Sequence, residues 1–455
     1  MERMRNEITD GNLIKAIVFL SLPIIFSNFL QGLYNVIDMF WVGKLGAAAV
    51  AAVSLSFPPM FLMITLGMGV SVAGTILVSQ YKGRKDHEKS DFIASQTVSS
   101  VILLSIVLAA LGYAFSPVLL ELMSLEDSVF TMASDYLSIT FAGLPFVFFY
   151  FVFQSLLRAT GNVTTPLYVV VVSIFLNLVL DPLFIFGYGP VPAMGVAGAA
   201  IATVISQAIG ALIGLAILLR GKSGIHLKPP YMVPHVETLV KLIRLGAPAS
   251  IELGSISLSF MIMLFLVTPF GTDITAAYGI GTRILSMIII PAVGLGMATS
   301  TLVGQNMGAG KPERAEHAAK IGMLSGFSTL TVIGIVMLAF SAPIAALFIE
   351  DQSVVSMTVH FLNAMALSFG FIAVLEVITG AFKGSGHTFW SMVLTLTVLW
   401  VMRFPLAYIL AYHTSLSFEG IWWAFPVSTV TGALIAVVWF FRGTWKHKRL
   451  IEEHA

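Results

Sequence analysis

Twelve stretches of this chain are each long and apolar enough to cross a lipid bilayer, and that leaves few folds open to it. They lie near residues 14–40, 48–79, 92–115, 129–156, 163–187, 193–219, 237–268, 275–304, 316–341, 356–381, 388–412 and 419–441. A helix needs about 20 such residues to cross roughly 30 Å of hydrocarbon. Inside hydrocarbon every backbone N–H and C=O must be satisfied within the protein, so each stretch is expected to be a helix. Composition agrees: 57% of residues are hydrophobic and only 10% charged, against about 25% charged in a soluble domain. Several stretches are longer than a straight span requires and must tilt, bend or protrude. Pro23, Pro58, Pro59, Pro248 and Pro291 are natural bend points.

The charges between the stretches fix an orientation. With a cytoplasmic N-terminus, 21 of the 24 Lys and Arg fall on the inside, Lys44 alone falls in an outside connection, and Arg283 and Arg403 lie within spans. Glu121, Glu126, Asp127, Glu350 and Asp351 fall outside. This is the positive-inside pattern, which a wrong span count would destroy. A multi-pass protein of the cell membrane with both termini cytoplasmic is therefore expected. The opening MERMRNEITDGN is polar and mixed in charge, unlike a cleaved signal, so the first stretch is expected to be retained. A net charge of +1 gives no basic field for nucleic acid, and the absence of cysteine excludes disulfides and thiolate metal sites.

The chain also matches itself at an offset of 225 residues. Pro23 falls on Pro248, Gln80 and Gly83 on Gln305 and Gly308, Gly161 on Gly386, Arg158 on Lys383, and Gly195 on Gly420. One constant offset at several separated places indicates two tandem halves. The expected layout is an N-terminal lobe over 1–220, a polar, Pro-rich cytoplasmic linker over 221–236, and a C-terminal lobe over 237–455. Six helices per half is even, so both halves enter from one side and are expected to be related by an axis along the membrane normal. The predicted class is all-α integral membrane, with two six-helix lobes around a central cleft. Rocking lobes give alternating access, and such a chain can work as a monomer.

Ionisable residues at membrane depth are costly and mark function or pairing. They are Asp38, Asp181, Glu252, Arg283, Glu376 and Arg403. Gln31, Tyr34, Asn35 and Asp38 share one face of the first helix, and Ser173, Asn177 and Asp181 share one face of the fifth. Two carboxylates in a partly dry lobe can hold a proton between them, or share a hard cation with amide and hydroxyl oxygens. Thr203 can supply such a hydroxyl. The plainer alternatives are an interfacial Asp38 at a helix end and a turn-forming Asp181 before Pro182. In the second half these positions read Met263, Met402, Leu406 and Ser428, so the constellation belongs to the first half alone. Glu252 heads a face with Ser255 and Ser259 and either meets a substrate or pairs with Arg283. Glu376 and Arg403 can pair as structural ions. Met261, Met263 and the many Phe suit packing, or an apolar cation's cavity.

No GxxxxGK[ST], HExxH, GxSxG or paired-Cys motif occurs, so an ATP-driven pump and most enzymes lose support. No organic cofactor is expected.

Four segments together resemble the multidrug and toxic compound extrusion (MATE) family. They are LSLPIIFSNFLQGLYNVIDMFWVGKLG, LRATGNVTTPLYVVVVSIFLNLVLDPLFIFG, GVAGAAIAT and, in the second half, IGTRILSMIIIPAVGLGMATSTLVGQNMGAG. The resemblance covers all twelve stretches. It implies a twelve-helix antiporter that exports organic cations and drugs against H⁺ or Na⁺. It also implies that Asp38, Asn177, Asp181 and Thr203 handle the coupling cation, with Tyr34 and Tyr136 nearby. Glu252 and Glu376 lie in helices where some relatives bind Na⁺, but out of register with those motifs, which favours coupling in the N-terminal lobe. The alternative within the broader superfamily is a flippase for lipid-linked oligosaccharides, which favours a cavity with several cationic residues. Here Arg283 and Arg403 are the intramembrane cations.

Overall fold

The structure, a computed structural model, describes residues 8–121, 123, 125–447 and 450–451. Of the charges read as cytoplasmic, Arg3, Arg5, Lys448 and Arg449 lie outside the described residues. The first half comprises α1 (Leu13–Gly43), α2 (Ala47–Gly83), α3 (His87–Glu121), α4 (Asp127–Ala159), α5 (Thr164–Phe186) and α6 (Gly195–Arg220). The second comprises α7 (Val236–Val267), α8 (Thr272–Gly308), α9 (Pro312–Ala346), α10 (Gln352–Ala366) with α11 (Phe369–Gly384), α12 (Thr388–Leu396) with α13 (Phe404–Tyr412), and α14 (Glu419–Phe441).

Among the described residues eleven helices are long and apolar enough to cross a membrane, and the pair α10 and α11, bent by 52° at Leu367–Ser368, makes a twelfth if taken as one span. Where the sequence predicts one unbroken span at 356–381, the structure has this bend. The eleventh span, Thr388–Tyr412, is continuous, but its middle, Thr397–Arg403, is wound as a π-helix. Large apolar side chains such as Phe175, Val179 and Phe265 are exposed along the spans, as lipid contact requires.

The internal repeat survives folding. Ala47–Gly83 and Thr272–Gly308 are offset by 225 residues at both ends, as are His87–Glu121 and Pro312–Ala346. Asp127–Ala159 bears the same relation to the span from Gln352 to Gly384. The chain divides into two compact units, Phe26–Ser250 and Met1–Ile25 with Ile251–Ala455. The two dividing points, after Ile25 and after Ser250, are again 225 residues apart, and each lies two residues beyond a repeat-related proline, Pro23 or Pro248.

In the unit Phe26–Ser250, α4 is central and packs on α2, α3 and α6, while α5 packs on α6. In the other unit α11, the repeat counterpart of the end of α4, is central and packs on α8 and α9. The linker after α6 is strapped to α3. Gln96 Nε2 donates to Tyr231 O and Val233 O, each at 2.6 Å, and the Tyr231 hydroxyl donates to Glu88 Oε1 at 2.8 Å.

One glycine decides how near α5 and α6 can lie. A Cβ at Gly198 would stand 2.4 Å from the carbonyl oxygen of Phe184, which is fixed backbone. Gly198→Val should therefore prise the helices apart, at about 1–3 kcal/mol. Gly43 has nothing within 4 Å of the same added atom, so Gly43→Ala should stay within about 0.5 kcal/mol of wild type. Thermal unfolding of the two variants in detergent checks the contrast. Equal melting temperatures would mean the close approach contributes nothing.

Candidate functional site

That close approach places the polar stripe of α5 against the polar residues of α6. Ser173 Oγ donates to Ser206 O at 2.8 Å, and Ser206 Oγ donates to Thr203 O at 3.0 Å. The later part of α1 joins them through Tyr34, whose hydroxyl is 2.9 Å from Ser206 Oγ and donates to Thr203 O at 3.5 Å. Gln31, one turn earlier, donates through Nε2 to Gln154 Oε1 of α4 at 3.1 Å. Three helices of one unit thus converge, with α4 behind them.

Asp181 lies inside α5, with Pro182 still helical after it, and is fully buried, so it is not a turn residue. Asp38 is 8% exposed and also lies inside its helix, before its end at Gly43. The two lie within electrostatic reach of each other, and Tyr34 and Tyr136 are within reach of both. Asn177 Nδ2 donates to Asp181 Oδ1 at 2.9 Å, spending one oxygen of the pair. The Thr203 hydroxyl faces the Asp38 carboxyl without closing a hydrogen bond to it.

The donor and acceptor count is the chemical content of this site. Asp38 Oδ1, Asn177 Oδ1, Asp181 Oδ2 and Thr203 Oγ1 are all buried without a hydrogen-bond partner. Gln207 Oε1, one turn beyond Thr203, is in the same condition. Buried polar atoms are ordinarily paired, and an orphaned charged one is costly. No Lys, Arg or His forms an ion pair with either aspartate among the described residues. Acceptor oxygens in excess, gathered from two carboxylates, an amide and a hydroxyl, suit a small hard cation or protons shared between the carboxyls.

The remaining residues singled out in the sequence fall elsewhere. Asn35, one turn before Asp38 on α1, is exposed. Met263 is buried in the core of the C-terminal unit with Tyr278, Phe361 and Trp422, while Met261 is 46% exposed. Glu252 does not pair with Arg283, which is exposed. It accepts from Lys383 Nζ at 2.8 Å, Ser391 Oγ at 3.0 Å and Thr395 Oγ1 at 3.3 Å. Glu376 and Arg403 form no ion pair with each other either, although both line one cavity of that unit. Glu376 is instead within electrostatic reach of Lys383 and Glu252.

Gln154 and Ser206 escaped the sequence reading. Gln154 lies far along α4 from that helix's acids, Asp127 and Asp135, and Ser206 is a small hydroxyl beside Gln207, so only the partners supplied by other helices, Gln31 and Tyr34, give them weight.

The model of the MatE family matches residues 23–183 and again 248–409, so its two copies begin one repeat apart. The chain is 32% identical over 433 residues to the probable multidrug resistance protein YoeA of Bacillus subtilis (strain 168), covering 94% of this chain and 93% of that one. It is 31% identical over 451 residues to the probable multidrug resistance protein YpnP of the same organism, covering 98% and 99%. Among solved structures, a MATE in the bent conformation superposes with a TM-score of 0.90 at 26% identity, covering 97% of this chain and 98% of that one.

Proposed function

The chain belongs to the MatE family, and from that premise we propose that it is a secondary antiporter exporting drugs and organic cations in exchange for H⁺ or Na⁺. As a member it is a multi-pass membrane transporter and not an enzyme. Drug export is supported by the names of the YoeA and YpnP relatives.

One observation carries the coupling step: four orphaned oxygens, from Asp38, Asn177, Asp181 and Thr203, gathered inside one unit with no cationic side chain among them. Carrying that arrangement empty through a transport cycle is costly, so the cation and the cargo exchange occupancy. Tyr34 and Tyr136 flank the carboxyls, and Gln31 with Gln154 extends the polar path along α1. In this reading the protein acts as a monomer in the cell membrane, both termini face the cytoplasm, and the lobes 1–220 and 237–455 rock about the linker to alternate access.

Proton counting on substrate binding tests it. With H⁺ as the coupling ion, adding ethidium to the purified, weakly buffered protein releases protons in wild type and not in Asp38→Asn. With Na⁺ as the coupling ion, the release appears instead as displaced Na⁺. Undiminished gradient-driven efflux by Asp38→Asn in vesicles would remove these residues from the coupling step.

A further inference from the structure

The C-terminal unit holds a cavity of about 190 Å³ that is chemically unlike the aspartate site. Its walls are apolar, among them Phe260, Leu285, Met365 and Leu399, and two ionisable residues line it, Glu376 and Arg403. Arg403 ends the π-helical turn Thr397–Arg403. Such turns are rare and concentrate at functional sites.

The guanidinium is held by neutral groups only. Arg403 Nε donates to Ser428 Oγ and Nη2 donates to Thr429 Oγ1, both at 3.0 Å, and the group lies 4.6 Å from the centre of the Phe425 ring. Ser428 in turn donates to Phe425 O at 3.0 Å, which fixes the hydroxyl that receives Arg403. An arginine carries five N–H donors. The others find no acceptor among the described residues, and no carboxylate pairs with the charge. An uncompensated guanidinium at membrane depth is costly unless an anion meets it.

The repeat sharpens the contrast. Ser428 is the counterpart of Thr203, and Arg403 is the counterpart of Leu178, beside Asn177. Where the first half gathers acceptor oxygens, the second half presents a planar donor fork, which matches a carboxylate by two parallel hydrogen bonds.

We propose that this cavity is a second ligand site, which takes an aromatic substrate through a carboxylate held by Arg403 and, in a zwitterion, through a protonated amine at Glu376. The inference rests on the transport reading, because it names a substrate class for it. The apolar walls and Phe425 hold the ring, and the two charged ends discriminate zwitterions and carboxylates from plain cations.

Direct binding to the purified full-length chain tests it without any gradient, using 4-(aminomethyl)benzoate, a one-ring acid with a protonated amine that suits a cavity of about 190 Å³, against its methyl ester. Wild type should prefer the acid by about tenfold or more, as a charge-assisted bidentate contact implies. In Arg403→Gln the preference should collapse to within about twofold, and Arg403→Lys should restore part of it. Equal affinity of wild type for acid and ester, or a preference retained in Arg403→Gln, overturns the proposal. Should the Gln variant fail to fold, a photoactivatable analogue of the same one-ring acid on wild type must label the segment 394–403 or Phe425, and labelling elsewhere overturns it too. Gradient-driven ethidium efflux, measured alongside, reports on the antiport reading separately, so either idea can fail while the other stands.

Discussion

Asp181→Asn should abolish cation-coupled efflux while leaving the protein folded. The substitution is nearly isosteric and keeps an acceptor oxygen and the chance of a bond to Asn177, so packing around the fully buried position changes little. What disappears is one of the two negative charges. A hydrogen bond or contact to a charged group is worth about 1.5–3 kcal/mol, so cation affinity should fall roughly ten- to hundredfold. The same substitution creates an amide with two N–H donors amid orphaned acceptors. Those donors can satisfy Asp38 Oδ1 or Asn177 Oδ1 and mimic the cation-loaded state permanently, which blocks the return half of a cycle. Ethidium efflux from inverted vesicles under an imposed pH or Na⁺ gradient is the measurement, with the melting temperature as a control for folding. Efflux at wild-type rate with an unchanged dependence on the gradient would separate this residue from coupling.

Asp181 and Asp38 could be singled out in the sequence for a physical reason. A polar residue in a long apolar run is costly, so it stands out, and helical periodicity assigns it a face. The stripes Gln31–Tyr34–Asp38 and Ser173–Asn177–Asp181 are readable in this way, and folding keeps them together. Asn35 shows the limit of the method. Its spacing satisfies the same periodicity and it is exposed, because periodicity assigns a face and not a degree of burial. The break between α10 and α11 is invisible for a different reason. The bend at Leu367–Ser368 changes direction and not hydropathy, so a window over 356–381 sees one span. The π-helical turn before Arg403 likewise alters the hydrogen-bond register with no change in residue type. Helix ends were underestimated, as at 92–115 against His87–Glu121, since hydropathy reports only the part in hydrocarbon and helices continue into the polar layer.

Lys383 was missed as a partner of Glu252 because it sits near the end of α11, where it reads as one more inside charge. Its long side chain instead reaches Glu252 Oε1, and the two head groups meet with side chains 20% and 4% exposed. A prediction with a distinctive asymmetry follows from the surroundings. Removing the ammonium in Lys383→Met leaves Glu252 held only by Ser391 and Thr395, with Glu376 within electrostatic reach, so two carboxylates face each other in an apolar setting. Breaking a buried pair in this way costs about 3–5 kcal/mol. Removing the carboxylate in Glu252→Gln costs less, because Lys383 still has Glu376 within reach. The double variant Glu252→Gln with Lys383→Met should then be more stable than Lys383→Met alone, since the orphaned charge is gone. Thermal unfolding of the three proteins in one detergent measures the cycle. Equal losses in both single variants, adding in the double, would mean that these groups do not interact. The expected ordering, with the lysine variant worst and partly rescued by removing its acid, would identify Lys383 as an internal cation that neutralises Glu252. That would leave the aspartates of the N-terminal unit as the pair without a built-in counter-charge, which is the condition a coupling cation requires.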